Sequence, residues 1–459
     1  MSMGKHEGEQ QGDLWLATQD LAQSPGHPFY ERLNAVLRAA DFDARVEELC
    51  QPFYSFDGRG RPSLAPGVYF RMLLIGYFEG IDSERGIAWR CADSLALRSF
   101  LGFRLDQATP DHSTLCRIRQ RLSVEVHEQV FAIVLELLSQ QGLLRGKSVG
   151  IDATTLEANA ALRSIVRRDD GASYDDFLKR LAAESGIESP TRAQLTKLDR
   201  KRPRKGSNAE WTHPGDPDAE IVKMKDGRTH LAHKSEHAVD LESGAVLAVT
   251  LHSGARGDTS TVLETMLAAS KNAVALGREA LPEWVCDKGY HSNATMEVME
   301  TVGMRSYVSE PDRGRRRWKS NETAQKGTYA NRRRVRGERG QCLLRKRAEL
   351  VERSFAHCLE TGGMRRTWLR GRANILKRYL VHVAGFNLGI VMRKLLGVGT
   401  PRGLAGLARR VAAVCECFHG LIRVLGHLVR ELVATWAGTA NVTPRIRWRR
   451  GGAAFSTGS

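Results

Sequence analysis

The chain of 459 residues lacks several features that would place it outside the cell or in a membrane. Its longest apolar run, YLVHVAGFNLGIVM at 379–392, contains His382 and Asn387 and falls short of the ~18 residues that a membrane span needs. The N-terminal MSMGKHEGEQQGDLWLATQD has no basic-then-apolar signal pattern. A cytoplasmic protein with no membrane partner is expected. The eight cysteines (Cys50, Cys91, Cys116, Cys286, Cys342, Cys358, Cys415 and Cys417) are scattered, with no C-x-x-C pair and no paired histidine spacing, which excludes a zinc site and a disulfide framework. There is no internal repeat. Acids are scarce relative to bases: 52 Asp and Glu against 69 Lys and Arg, a net charge of +17 and a pI near 9.7. Such an excess repels itself unless the partner is a polyanion. For a soluble basic protein that polyanion is nucleic acid. A hydrophobic fraction of 42% over this length leaves room for a large core and more than one domain.

What is present falls into two patterns. Residues 1–27 read as a disordered N-terminus, and residues 28–145 as an all-helical domain. LAPGVYFRMLLIGYFEG (64–80) is an apolar helix with a proline near its start. SERGIAWRCADSLALRSFLG (83–102) reads as one helix from an N-cap at Ser83 to Gly102, and residues 109–144 as two helices. At 148 the pattern changes. SVGIDAT is a short buried strand, about 155–228 a long polar loop or insertion, and 229–254 a β-hairpin turning at DLESG. A helix at 258–277 with an Asp/Thr/Ser start, a strand EWVCD, a short helix and a strand RSYVSEP follow. This mixed α/β order over 146–397 matches a ribonuclease-H-like fold. Helices are expected at about 348–362 and 373–397. Residues 398–459 form a last helix (about 403–436), with Leu404, Leu407, Val411, Val414, Phe418, Leu421 and Leu425 on one side, and a basic flexible tail. That helix either completes the core or pairs two subunits.

Three acids stand out. Asp152 ends the first strand, Asp287 ends EWVCD, and Glu352 lies in AELVERSFAHCLE, where Val351, Phe355 and Leu359 recur at helical spacing. In a ribonuclease-H-like sheet the two strands are neighbours, and a helix crosses their ends. Three converging carboxylates repel one another unless a cation sits among them. Mg²⁺ prefers such oxygen ligands, and Mn²⁺ is an alternative. Two ions would activate a nucleophile and stabilise a leaving oxygen at a phosphodiester. Singly, each acid has a plainer reading: Asp152 as a turn former or cap, Glu352 as an exposed helix residue, with Glu349 and Glu360 as rivals for its place.

The stretches GRPSLAPGVYFRMLLIGYFEGIDSERGIAWRCADSLALRSFLGF, TPDHSTLCRIRQRL, VGIDATTLEANA, HKSEHAVDLESGAVLAV, CDKGYHSN and LVERSFAHCLETGGMRRTWLRGRANILKRYLVHVAGFNLG, in that order across 59–397, resemble bacterial insertion-sequence DDE transposases with a helical N-terminal domain. The resemblance implies that Asp152, Asp287 and Glu352 are the catalytic triad and metal ligands, with 352 − 287 = 65 residues between the last two. It also implies terminal inverted repeats and target DNA as partners, and a homodimer on DNA. Near the Glu the chain departs from relatives, which often carry Tyr and Arg before it and Lys seven positions after. Here Ala348 and Leu359 stand four before and seven after, and Arg345 and Arg347 are nearby substitutes for DNA contact.

The segment 312–347 holds fourteen Lys or Arg and three acids by count, interrupted by Trp318 and Tyr329. Arg315, Arg316, Arg317, Arg332, Arg333, Arg334, Arg345 and Arg347 are candidate phosphate contacts, and Trp318 is a candidate base-stacking residue. Lys288, beside Asp287, and Arg365 and Arg366, after the Glu helix, extend the surface. The plain reading of a charge run is a solvated loop. The expected activity is Mg-dependent DNA cleavage and strand transfer. A nuclease of the same fold that does not join strands, and an inactive DNA-binding remnant, are the alternatives.

Overall fold

The computed structural model describes residues 24, 26–55, 63–202, 206–224, 227–278, 281–312, 314, 316, 318 and 320–440. It divides into two compact units, 1–401 and 402–459. The proposed disordered start (except 24, 26 and 27), the basic tail, Arg315 and Arg317 lie outside the described residues.

Seven helices open the first unit: α1 (Pro28–Ala39), α2 (Phe42–Cys50), α3 (Pro66–Glu79), α4 (Glu84–Asp93), α5 (Leu95–Leu101), α6 (His112–Arg121) and α7 (Val124–Gln140). Pro66 sits in the first turn of α3, where its missing N–H costs nothing. Ser83 caps α4 by accepting from Gly86 N at 3.2 Å. The single helix expected over 83–102 is two. Ser94 adopts an extended backbone and caps α5 through Leu97 N at 3.3 Å, which breaks the run.

The sheet is built from β1 (Ser148–Glu157), β4 (Glu220–Lys223), β5 (Thr229–Asp240), β6 (Val246–Ser253), β7 (Glu283–Cys286) and β8 (Arg305–Val308), while β2 (Val166–Arg167) and β3 (Trp211–Thr212) form a separate small pair. Central β1 pairs antiparallel with β5 and parallel with β7, and β7 pairs parallel with β8. On the far side of β5, β6 lies against His233–Val239 and β4 against Thr229–Ala232. In the β5–β6 turn the Asp240 carboxylate accepts from Glu242 N at 2.7 Å and, across the sheet, from Gly146 N at 2.9 Å.

Residues 158–219, expected as loop, hold two helices, α8 (Tyr174–Glu184) and α9 (Arg192–Lys201), with their own apolar clusters around Trp211 and around Leu178, Ala182 and Leu195. A capping box at Thr191 and Gln194 starts α9. These elements are short and polar outside, so their periodicity was hidden by the charges around them.

Five further helices complete the unit among the described residues, the first four being α10 (Asp258–Ala275), α11 (Asn293–Thr301), α12 (Glu322–Arg336) and α13 (Glu338–Ala356), the last running on into a π-helical turn over His357–Thr361. α13 starts ten residues earlier than the helix expected at 348. The basic run is therefore helical through most of its length. Finally α14 (Arg372–Leu396) is buried nearly all round, against α3, α7 and β6. The stretch Arg372–Leu404 is long and apolar enough to cross a membrane by length and composition, but 61% of its most apolar window is buried inside the protein, as a core helix would be. Asn387 and His382 are satisfied within it. Asn387 bonds Val246 N and O at 2.9 and 2.8 Å, and His382 meets the carbonyls of Gly362 and Arg378. The second unit holds α15 (Pro401–Ala440), longer than the expected 403–436.

Candidate active site

The parallel pairing of β1 with β7 fixes the two aspartates. Ile151 is in register with Cys286, so the next residues, Asp152 and Asp287, stand at the same level. Asp287 follows the end of β7, but Asp152 does not end the first strand as expected: it lies in the middle of β1, which stays paired with β5 as far as Glu157. Neighbouring strands lie about 4.8 Å apart. Beyond this point β7 turns away into Lys288–Tyr290, while β1 continues to Glu157 along β5, with a single further bridge from Glu157 to Arg366. The divergence opens a cleft at the C-terminal ends of parallel strands, the usual place for a site in such a sheet.

A basic side chain lies between the aspartates. Arg347 on α13 donates from Nη1 to Asp152 Oδ2 at 2.6 Å, and its Nη2 is 3.9 Å from Asp287 Oδ1. The Arg347 side chain is only 10% exposed. Burial raises the Asp152 carboxyl above its ordinary value. Arg347 and the N–H of Ala153, at 2.8 Å, pull it back without cancelling the rise, and Asp287 adds to it. The Arg347 stem reaches this place because residue 150 is glycine: a β-carbon there would stand 2.8 Å from Arg347 Cγ.

Glu352, five residues on, is exposed and lines a cleft of about 590 Å³ together with Asp152, Thr154, Met224, His230 and Phe355. Of its rivals, Glu349 does not line this cleft and is ion-paired with Arg353; Glu360 lines it but is paired with Arg365. Asp287 is not part of that lining. Among the described residues no three of His, Cys, Asp or Glu stand close enough together to share one ion. The structure thus brings Asp152 together with Asp287 through Arg347, and Asp152 together with Glu352 in the lining of one cleft. All three offer hard carboxylate oxygens, the ligand type that a divalent cation takes, but in this arrangement they are not gathered on one spot.

Two supports were not legible beforehand. Opposite Asp152 on β5 stands fully buried His237, whose Nδ1 bonds Ser354 Oγ at 2.8 Å and whose Nε2 bonds Tyr379 Oη at 2.9 Å. It ties α13 and α14 to the sheet beneath the cleft. On the opposite face, buried Glu236 accepts from Thr265 at 2.6 Å, from Tyr290 at 3.2 Å and from Thr261, and is 2.9 Å from Lys234 Nζ. Lys234 also meets Asp258 at 2.7 Å. Asp258, in the Asp/Thr/Ser start of α10, bonds sideways to Lys234, and Gly257 is the cap. This network seats the turn that follows Asp287. A β-carbon on Gly289 would lie 2.3 Å from Asp258 Oδ2. Burial and Glu236 hold the Tyr290 hydroxyl far above its ordinary value, so it remains a donor. The one signal in the sequence was Lys234 and Glu236 two apart, and so on one face of the strand.

The candidate DNA contacts divide. Lys288, Arg333, Arg345, Arg365 and Arg366 are exposed, although Arg365 pairs with Glu360. Arg332 forms a two-bond pair with Glu310 at 2.6 and 2.8 Å, and Arg334 bonds Ser306 O and Oγ at 2.9 Å each. Arg316 pairs with Glu310 at 2.9 Å and stands over the Trp318 ring at 5.7 Å; Trp318 in turn meets Tyr329 at 5.9 Å. Arg366 stacks over exposed Trp368 at 5.4 Å, beside a second cleft that includes Asp82, Arg85 and His112.

Two family profiles match the chain: one described as a transposase domain (DUF772) over residues 18–121, the other as the transposase DDE domain over residues 151–385. No curated protein and no solved structure gives a match. The second profile spans more than half of the chain and includes Asp152, Asp287 and Glu352. With the helical region leading into a mixed sheet of ribonuclease-H-like type, the chain belongs to the insertion-sequence DDE transposases.

Proposed function

We propose that this transposase binds the terminal inverted repeats of its own element, cuts the phosphodiester at each end, and joins the freed 3′-hydroxyl to target DNA. The observation that carries this reading is that Asp152 on β1 and Asp287 just after β7 stand at the same level of neighbouring strands, with Glu352 lining the same cleft as Asp152. These three carboxylates would hold Mg²⁺, or Mn²⁺ in its place, which when bound supplies Lewis-acid activation of the attacking and leaving oxygens. The protein's own part is positioning. The β1–β7 register, the His237–Ser354 bond and the Glu236–Tyr290 network fix where the carboxylates stand before DNA arrives. Exposed Arg333, Arg345, Arg366 and Lys288 supply phosphate contacts around the cleft, and the Trp318–Tyr329 pair a surface for an unpaired base. Residues 28–145 serve as the DNA-reading domain and 146–397 as the catalytic domain.

The active form is a homodimer, since two element ends must be held together. α15 supports this. Leu404, Leu407, Val411, Val414, Phe418, Leu421, Leu425, Leu428 and Leu432 follow an unbroken 3-4 spacing, the pattern of a coiled-coil seam. Phe418, Leu425, Leu428 and Leu432 are all more than half exposed.

The test incubates purified protein with labelled element-end DNA in Mg²⁺ or EDTA, beside Asp152→Ala. Cleavage and strand-transfer product should appear only with Mg²⁺ and an intact Asp152. Cleavage that survives EDTA or the substitution would refute the reading, and cleavage without joining would reduce it to a nuclease.

A further inference from the structure

Arg347 occupies the position between the two aspartates that a divalent ion would need. Its guanidinium bonds Asp152 at 2.6 Å and approaches Asp287 to 3.9 Å. The placement is built into the fold: Gly150 leaves room for the stem, and Val351, one turn along α13, packs over the same glycine. We propose that Arg347 is a resident counter-ion of the site, which competes with the metal for Asp152 and Asp287 and must swing away for the ion to bind. This rests on the reading of those residues as metal ligands.

Three observations support it. First, two carboxylates at the same level of adjacent strands repel each other, and a buried cation relieves that repulsion while no other cation is bound. Of the positive side chains described, Arg347 alone is shown paired with both aspartates. Second, its hold is incomplete. Nε is buried with no hydrogen-bond partner among the described residues, and the Asp287 contact is too long for a hydrogen bond. A guanidinium so partly satisfied is bound less firmly than a two-bond pair such as Arg332 with Glu310. Third, guanidinium and metal would draw on the same oxygens, because Asp152 Oδ1 already accepts from Ala153 N and Oδ2 from Arg347. An ion on Asp152 therefore displaces the arginine or meets its charge at close range.

The consequence is that metal affinity in the DNA-free protein is held down, and that Arg347 sustains the fold of the site when metal is absent. Arg347 is a positioning residue in this scheme, not a catalytic one. Mn²⁺ binding is measured directly, by electron paramagnetic resonance of the free ion, for the full chain, Arg347→Met, Arg347→Lys and Asp152→Asn, together with melting temperatures with and without Mn²⁺. Methionine keeps the apolar stem and removes the charge. The expected result is Mn²⁺ binding roughly tenfold or more tighter in Arg347→Met than in the unaltered chain, with Arg347→Lys between them. The metal-free melting temperature should fall in Arg347→Met and recover with Mn²⁺. Equal or weaker binding in Arg347→Met, alongside lost binding in Asp152→Asn, would overturn the competition and leave the metal site standing. No Mn²⁺ binding by any form would overturn both. If Arg347→Met fails to fold, Arg347→Lys decides: affinity no higher than that of the unaltered chain counts against the proposal.

Discussion

Two fully buried histidines should make this fold sensitive to mild acid. His127 bonds Ser123 O through Nδ1 at 2.8 Å and Tyr69 Oη through Nε2 at 3.2 Å. His237 sits between Ser354 and Tyr379. Ser354 gives its own proton to Val351 O at 2.7 Å, so its oxygen accepts from Nδ1–H of His237, and Tyr379 donates to Nε2. Each ring is thus satisfied in its neutral form. Burial pushes His127 down to about 4 and His237 to about 3. An unfolded histidine titrates near 6.5, so between that value and the folded one the unfolded chain binds more protons. Stability is then fully present above pH 6.5 and is lost as pH falls toward 4. From pH 7 to pH 5 each ring contributes a loss of about 2 kcal/mol, about 4 kcal/mol for the pair, against a total stability typically of about 5–15 kcal/mol. His382 is also pushed down to about 3, by burial and Arg378, although it faces two carbonyl oxygens that would accept a gained proton, and it adds to the loss in the same direction. Asp152 and Glu128, raised chiefly by burial, act in the opposite direction and temper the loss. Urea unfolding followed by circular dichroism at pH 7 and pH 5 measures the difference. His127→Gln should remove about 2 kcal/mol of the pH dependence. A change below about 1 kcal/mol across that interval would show that these rings do not control the acid response.

Two further perturbations probe the frame of the site. Asn331 of α12 bonds both Val308 N and Val308 O, at 2.9 and 2.8 Å, and so closes the edge of β8 in a buried setting. Asn331→Leu leaves two backbone groups unpaired and should cost about 2–6 kcal/mol in a urea titration, whereas a loss under about 0.5 kcal/mol would mean the edge is otherwise satisfied. Lys234→Met removes the cation shared by buried Glu236 and part-exposed Asp258, a change worth about 3–5 kcal/mol because Glu236 is left as an unpaired buried charge, and should slow DNA cleavage by loosening the turn after Asp287. Unchanged stability with normal cleavage would remove the network from the account of the site.

Much of the frame was readable because it rests on local signals. Ser83 and Gly102 marked a helix start and a helix end, and the alternation around DLESG marked a hairpin. Asp152 and Asp287 were identifiable as acids at the ends of apolar runs. Where the reading failed, the deciding interaction was either too short in sequence or too distant. The break at Ser94 turns on one residue that caps as well as it continues. The helices of 158–219 expose so many charges that their small apolar faces did not stand out. The start of α13 was set ten residues late because apolar periodicity begins only where the helix meets the sheet. Nothing in a string of basic residues distinguishes Arg347, which crosses to Asp152, from Arg345, which faces solvent. That distinction follows from helical phase: Leu343, Arg347, Val351 and Ser354 share the inward face of α13, and an arginine on such a face must find an anion there or remain an unpaired buried charge. Once α13 is known to lie across β1, its partner is a carboxylate on that strand at the level where β7 ends, and Asp152 is the residue that stands there.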